Sequence, residues 1–142
     1  MIQAGQSIQA TAALAGDYFA SADILIVKND HYGSIGFITN RSFGKYLADL
    51  DEFKDCPPVP LWEGGPVGKD HLYILHRRPD LINGGTPLGN GLYWGGTMDD
   101  LVQALHLGSL QMSEFQLFIG YCGWDKDELD LEINEGSWRA RD

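Results

Sequence analysis

Apolar positions along this chain come in short bursts between glycine- and proline-marked turns, a pattern that predicts short, mixed elements. Ile24-Leu25-Ile26-Val27 is a dense apolar run and reads as a central strand. Ile35 to Thr39 reads as a second strand across Asn29-Asp30-His31-Tyr32-Gly33, a β-hairpin with a long loop. Ile8 to Leu14 is only weakly apolar. Phe43, Tyr46, Leu47, Leu50 and Phe53 recur at helical spacing and predict a short amphipathic helix that ends before Cys56-Pro57-Pro58. Val59 to Trp62 and Leu72 to Leu75 read as strands joined through Glu63-Gly64-Gly65-Pro66-Val67. Pro79 to Asn90 reads as a loop and Leu92 to Trp94 as a brief strand. Thr97 then caps a helix with Asp99 and Asp100 in its first turn, an apolar face of Met98, Leu101, Val102 and Leu105, and a stop at Gly108.

Phe115, Leu117 and Ile119 alternate along a largely buried strand that runs into Gly120-Tyr121-Cys122-Gly123-Trp124. The two glycines predict a tight turn there. Asp125 stands at an N-cap position with Glu128 three residues on, a capping-box pattern, and Leu129 and Ile133 follow on one helix face. Tyr121, Gly123 and Trp124 are therefore expected to anchor the structure. The acids around this helix start oppose a bound phosphate. Strands joined by short turns, with three helices interspersed, indicate an α+β class.

Length changes this picture little: 142 residues suit one domain spanning 1–142, with a sizeable core. Charge changes it more. Ten Lys and Arg face twenty Asp and Glu, a net charge of −10. Nucleic-acid binding needs clustered cations, and only His76-Arg77-Arg78, with Lys69 and His71 before it, comes near. Direct DNA binding is not expected. No run approaches the ~18 apolar residues of a membrane span, and Met1 to Ala10 lacks the pattern of a signal peptide. Asn40-Arg41-Ser42 matches a glycosylation sequon, which without a secretory route is expected to be incidental. Two cysteines, Cys56 and Cys122, make no disulfide framework, which favours a reduced cytoplasmic setting.

Seven blocks, in order, resemble the YqgE/AlgH family of bacterial proteins. They are Gly16-Asp17-Tyr18-Phe19, then Ile24 to Val27 with Gly33 to Arg41, then Gly64-Gly65-Pro66-Val67 and Leu75-His76. Leu92-Tyr93-Trp94-Gly95-Gly96, Gly120 to Trp124, and finally Leu129, Glu132 and Trp138 complete the match. The resemblance implies a strongly bent mixed or antiparallel sheet forming a pseudo-barrel, flanked by about three helices. It implies no established catalytic activity. Members are described as transcriptional regulators, a label that stems from a genetic link to exopolysaccharide production. The chain departs from the family at Ser21-Ala22, where an arginine-serine pair is usual, at Asp23, usually apolar, and at Lys28-Asn29, usually Glu-His. It also ends soon after Trp138, where relatives generally continue, as a shortened or trimmed member would.

Candidate chemistry is sparse. Asn40 and Arg41 end a strand, either as a turn with a solvated cation or as polar groups at a cleft. Gly64-Gly65-Pro66 either brings backbone N–H groups to an anion or serves as a hinge. His76 is a base, a ligand or a structural histidine. The histidines show no metal-ligand spacing, and no nucleophile elbow, P-loop or dinucleotide fingerprint occurs, so neither metal nor cofactor is expected. The favoured reading is a non-enzymatic binding or regulatory protein that contacts a protein or small molecule. The alternative is an enzyme or small-anion-binding protein with a pocket at Asn40, Arg41, Gly64, Gly65, Pro66 and His76.

Overall fold

A computed structural model describes residues 2–141. Its strands are β1 (Ser7–Ala10), β2 (Asp23–Asp30), β3 (Gly33–Ile38), β4 (Ser42–Tyr46), β5 (Pro60–Glu63), β6 (Val67–His76), β7 (Thr86–Gly89), β8 (Leu92–Trp94), β9 (Phe115–Asp125) and β10 (Trp138–Arg141). The α-helices among the described residues are α1 (Met98–His106) and α2 (Glu128–Asn134). All ten strands join one sheet in the order β10-β1-β2-β3-β9-β6-β8-β7, antiparallel along this path. β5 lies parallel on β9, and β4 pairs antiparallel with β5.

The long strand β9 organises the sheet. β6 covers one edge, while β5 and then β3 share the other: Leu61 to Glu63 against Leu117 to Ile119, and Gly33 to Gly36 against Cys122 to Asp125. The handover falls at Gly64, whose N–H donates to the Ile119 carbonyl at 2.8 Å and whose carbonyl accepts from the Ile38 N–H at 2.9 Å. Three buried clusters result. Leu61, Ile74 and Leu117 pack under α1; Ile24, Cys122 and Trp138 pack under α2; Val27, Phe37 and Phe118 fill the third.

Several expectations are corrected. Among the described residues the sheet does not close into a pseudo-barrel, and the α-helices number two instead of about three. The helix expected over residues 43–53 is strand β4 followed by 3₁₀ turns at Leu47–Asp49 and Asp51–Phe53. Gly44 sits at φ +84°, outside helical geometry, and successive 3₁₀ turns repeat near enough to the helical period to mimic it. Gly120 to Trp124 is no turn: Gly120 takes φ +77° inside β9, which continues to Asp125. The α2 N-cap is Asp127, although Glu128 does reach back to the Asp125 N–H at 3.2 Å. The expected loop Pro79 to Asn90 contains β7. The β2–β3 connection is only His31-Tyr32, because β2 runs to Asp30. The Leu92 to Trp94 strand and the Thr97-led helix stand as read, though the Thr97 hydroxyl donates to the Asn83 carbonyl at 3.3 Å instead of capping.

Candidate functional site

Asn40 and Arg41 leave the end of β3 and face the segment that precedes β2. The Asn40 side chain accepts from the Asp23 N–H and donates to the Ser21 carbonyl, each at 3.0 Å. The Arg41 guanidinium donates to the carbonyls of Tyr18 at 2.9 Å and Ala20 at 3.2 Å, and lies 5.0 Å from the Tyr18 ring centroid. These groups tie down the 18–21 turn, in which Ser21 takes φ +62°.

The Tyr18 hydroxyl in turn donates to Glu63 Oε2, and Lys69 Nζ donates to Glu63 Oε1 at 3.1 Å. Burial alone would raise the Glu63 pKa. The hydrogen bonds from Tyr18 and Lys69, with the charges of Lys69 and Arg41, outweigh it and hold the carboxyl below its usual range. Burial of the phenol, and then the same carboxylate, push the Tyr18 pKa upward. Tyr18, Arg41, Glu63 and Lys69 thus form a charged cluster that the sequence reading covered only at Arg41. Beyond Arg41, its sequence signal was Tyr18 within a family block, because Glu63 and Lys69 are brought in by β5 and β6.

Gly64 and Gly65 lie beside this cluster, pressed against β9. A Cβ on Gly64 would come 2.2 Å from the Gly120 carbonyl oxygen, and one on Gly65 would meet the Tyr121 backbone at 2.2 Å. Pro66 is exposed next to them. Behind the pair, the Cys122 thiol donates to the Gly64 carbonyl at 3.3 Å, and burial pushes its pKa up to about 12.

His76 is not part of this group. It pairs with Phe115, four residues along β9 from the level of Glu63, about 13 Å at the usual strand rise. Its side chain is 1% exposed and stacks on Tyr93 with centroids 5.7 Å apart. Nδ1 accepts the Arg78 N–H at 3.0 Å, which assigns the neutral ring's proton to Nε2, a buried atom without a geometrically good hydrogen-bond partner among the described residues. Burial lowers its pKa.

Of the expected anchors, Trp124 is buried, Tyr121 half-buried and Gly123 exposed. The departures at Ser21, Ala22 and Asp23 border the Asn40–Arg41 staple, and Asp23 opens β2 with Oδ2 on Arg141 at 2.8 Å. Lys28 and Asn29 lie toward the other end of β2. There Lys28 faces Asp30 at 3.7 Å, and Asn29 donates to the Ile2 carbonyl at 2.6 Å and accepts from the Ser34 hydroxyl. These departures therefore do not share one site.

A family model described as AlgH-like matches residues 7–141. The chain belongs to the AlgH-like family. A UPF0301 protein of Chlorobium luteolum is 37% identical over 141 residues, covering 99% of this chain and 75% of the relative. One from Bacteroides thetaiotaomicron is 32% identical over 121 residues, covering 84% and 61% respectively. In solved structures, the AlgH protein from Pseudomonas aeruginosa superposes with a TM-score of 0.77 at 25% identity, over 96% of this chain and 75% of that one. Protein DIP2367 from Corynebacterium diphtheriae gives 0.80 at 22% identity, over 99% and 75%, a likeness of fold. This AlgH-like chain has no helix, among the described residues, long and apolar enough to cross a membrane.

Proposed function

We propose that this AlgH-like chain is a non-enzymatic regulatory protein of the cytoplasm, acting by contact with another macromolecule and not reading duplex DNA itself. The observation that carries this reading is the engagement of Asn40 and Arg41. Their side-chain donors hold backbone carbonyls of Tyr18, Ala20 and Ser21, which is a structural duty. The net charge of −10 supports the part that concerns DNA. Fluorescence anisotropy with a labelled duplex at ~150 mM salt should show nothing tighter than non-specific binding, roughly 10⁻⁴–10⁻⁶ M or weaker. Sequence-specific nanomolar binding would overturn it.

A second reading places a small anion beside Arg41 and the Gly64-Gly65-Pro66 loop. Two cations, Arg41 at 5.0 Å and Lys69 at 6.0 Å, flank the Tyr18 ring, which favours that position on an otherwise acidic molecule. Thermal-shift screening with phosphate and carboxylate metabolites decides between the readings. A hit whose affinity survives Arg41→Ala rules out this position, and a reproducible turnover of any metabolite rules out the non-enzymatic reading.

A further inference from the structure

Resting on the reading that the protein acts by binding, we propose that an open groove beside α1 docks a basic amphipathic segment of a partner protein. The groove is about 740 Å³, bounded by the 3₁₀ turns at Leu47–Asp49 and Asp51–Phe53, the middle of β6 and the start of α1. Leu50, Phe53, Leu72, Met98 and Ile119 supply its apolar lining. The carboxylates of Asp49, Asp51, Glu52, Asp70 and Asp99 stand around it, all on exposed residues.

The fold builds this arrangement. The β6–β9 register shifts between Val67 and Leu72, so residues 68–71 swell out of the ladder, with Gly68 at φ +61°, and bring Asp70 to the groove. Asp49 is held in place by accepting the Tyr46 N–H at 2.8 Å. Among the described residues, Asp49, Asp51, Glu52 and Asp99 form no salt bridge, and Asp70 faces only His71, at 3.7 Å. Lys69, the lysine at the margin, is held by Glu63 at 3.1 Å. The rim, which also holds Lys69 and His71, is therefore net negative above an apolar floor, with four of its five carboxylates in no salt bridge among the described residues.

That combination selects the occupant. Lys or Arg side chains answer the rim, and apolar side chains on the opposite face of the same segment answer Leu50, Phe53 and Met98, the last a pliable contact. A second copy of this chain would bring a further −10 charge to the groove. A small polycation would satisfy the rim and leave the floor in water.

The test uses the full chain and a fluorescein-labelled amphipathic peptide of Leu and Lys, about 15 residues long so that it can form a helix. The control peptide carries Glu in place of Lys. The Lys peptide is expected to bind, more weakly as salt rises, and the Glu peptide is not. Glu52→Lys with Asp70→Lys should weaken binding about tenfold or more, which corresponds to 1.4 kcal/mol or more. Asp125→Lys with Glu135→Lys, the same charge change placed by α2, should weaken it less than about twofold. Circular dichroism verifies that both double variants fold. Amide shifts on titration should cluster at Asp49–Phe53, Asp70–Leu72 and Met98–Asp99. Equal weakening by both double variants, shifts centred elsewhere, absent binding, or spermine binding as tightly as the peptide would each overturn the assignment. A protein partner found on another surface would sink this groove but leave the binding reading intact, whereas metabolite turnover would sink that reading itself.

Discussion

A single carboxylate oxygen, Glu132 Oε1, accepts two indole N–H groups, from Trp124 at 3.1 Å and Trp138 at 2.9 Å. Both rings are buried and meet edge-to-face at 6.1 Å, so α2 is fastened to β9 and β10 through one side chain. Glu132→Ala would leave both donors without this acceptor, and each hydrogen bond to a charged group contributes about 1.5–3 kcal/mol. Urea melts followed by tryptophan fluorescence should show a loss of about 2–4 kcal/mol for Glu132→Ala and less for Glu132→Gln, which keeps an oxygen acceptor. A loss under about 1 kcal/mol for the alanine variant would contradict the clasp. Gly64 is a second residue whose identity follows from contact. Its added Cβ would stand 2.2 Å from a backbone oxygen, where no flexible side chain can yield. Gly64→Ala should therefore destabilise by more than about 3 kcal/mol or abolish folding. Gly44→Ala, strained in φ but with open space around it, should cost only about 1 kcal/mol. Thermal melts of the two variants provide the comparison.

At the scale of elements, the sequence pattern located apolar runs well and misjudged what glycine does between them. Gly44 ended a helical expectation, and Gly120 bent a strand that the pattern had stopped. Strands β1, β7 and β10 were missed because each is short and takes its pattern from a neighbour, as Ile8 opposite Ala140 shows. Elements are also tied by charge. Arg78 bridges Asp80 at 2.8 Å and Glu114 at 3.1 Å, joining the end of β6 to the 3₁₀ turn that opens β9. The Arg78 hydrogen bond lowers the Asp80 pKa, while the Gln111 N–H and then Arg78 lower that of Glu114. Both carboxyls are depressed in the folded state, so their contribution is complete above the ordinary values near 4 and is lost as pH falls through the lower folded values. Arg78→Ala should flatten the acid limb of a plot of Tm against pH, and an unchanged limb would show that the bridge is not felt.

For the whole molecule, pH dependence has a second source. His76 is buried and neutral, with Nδ1 occupied as an acceptor, so the folded protein resists the proton that the unfolded chain binds near 6.5. Its contribution is complete above that value. It declines as pH drops below it, until the depressed folded value is reached. Melting temperatures between about pH 7 and pH 5 should fall for the wild type and fall less for His76→Gln. Equal slopes would place the titration elsewhere.

The amino-acid sequence by itself determined the class of the fold, the positions of the central strands and α1, the family, and the excess of negative charge. These depend on local periodicity, on ordered blocks and on composition, all of which are written along the chain. Tertiary structure alone decided which polar residues meet. Arg41 and Glu63 lie close because β5 inserts beside β3 on β9, while His76, expected beside Arg41 and the Gly64-Gly65-Pro66 loop, pairs with Phe115, about 13 Å along β9 from the level of Glu63. The groove's carboxylates come from residues 49–52, 70 and 99, brought together by a register shift in one strand and the 3₁₀ turns that follow another. Such convergence depends on long-range pairing, and a pattern of neighbours in sequence carries no term for it.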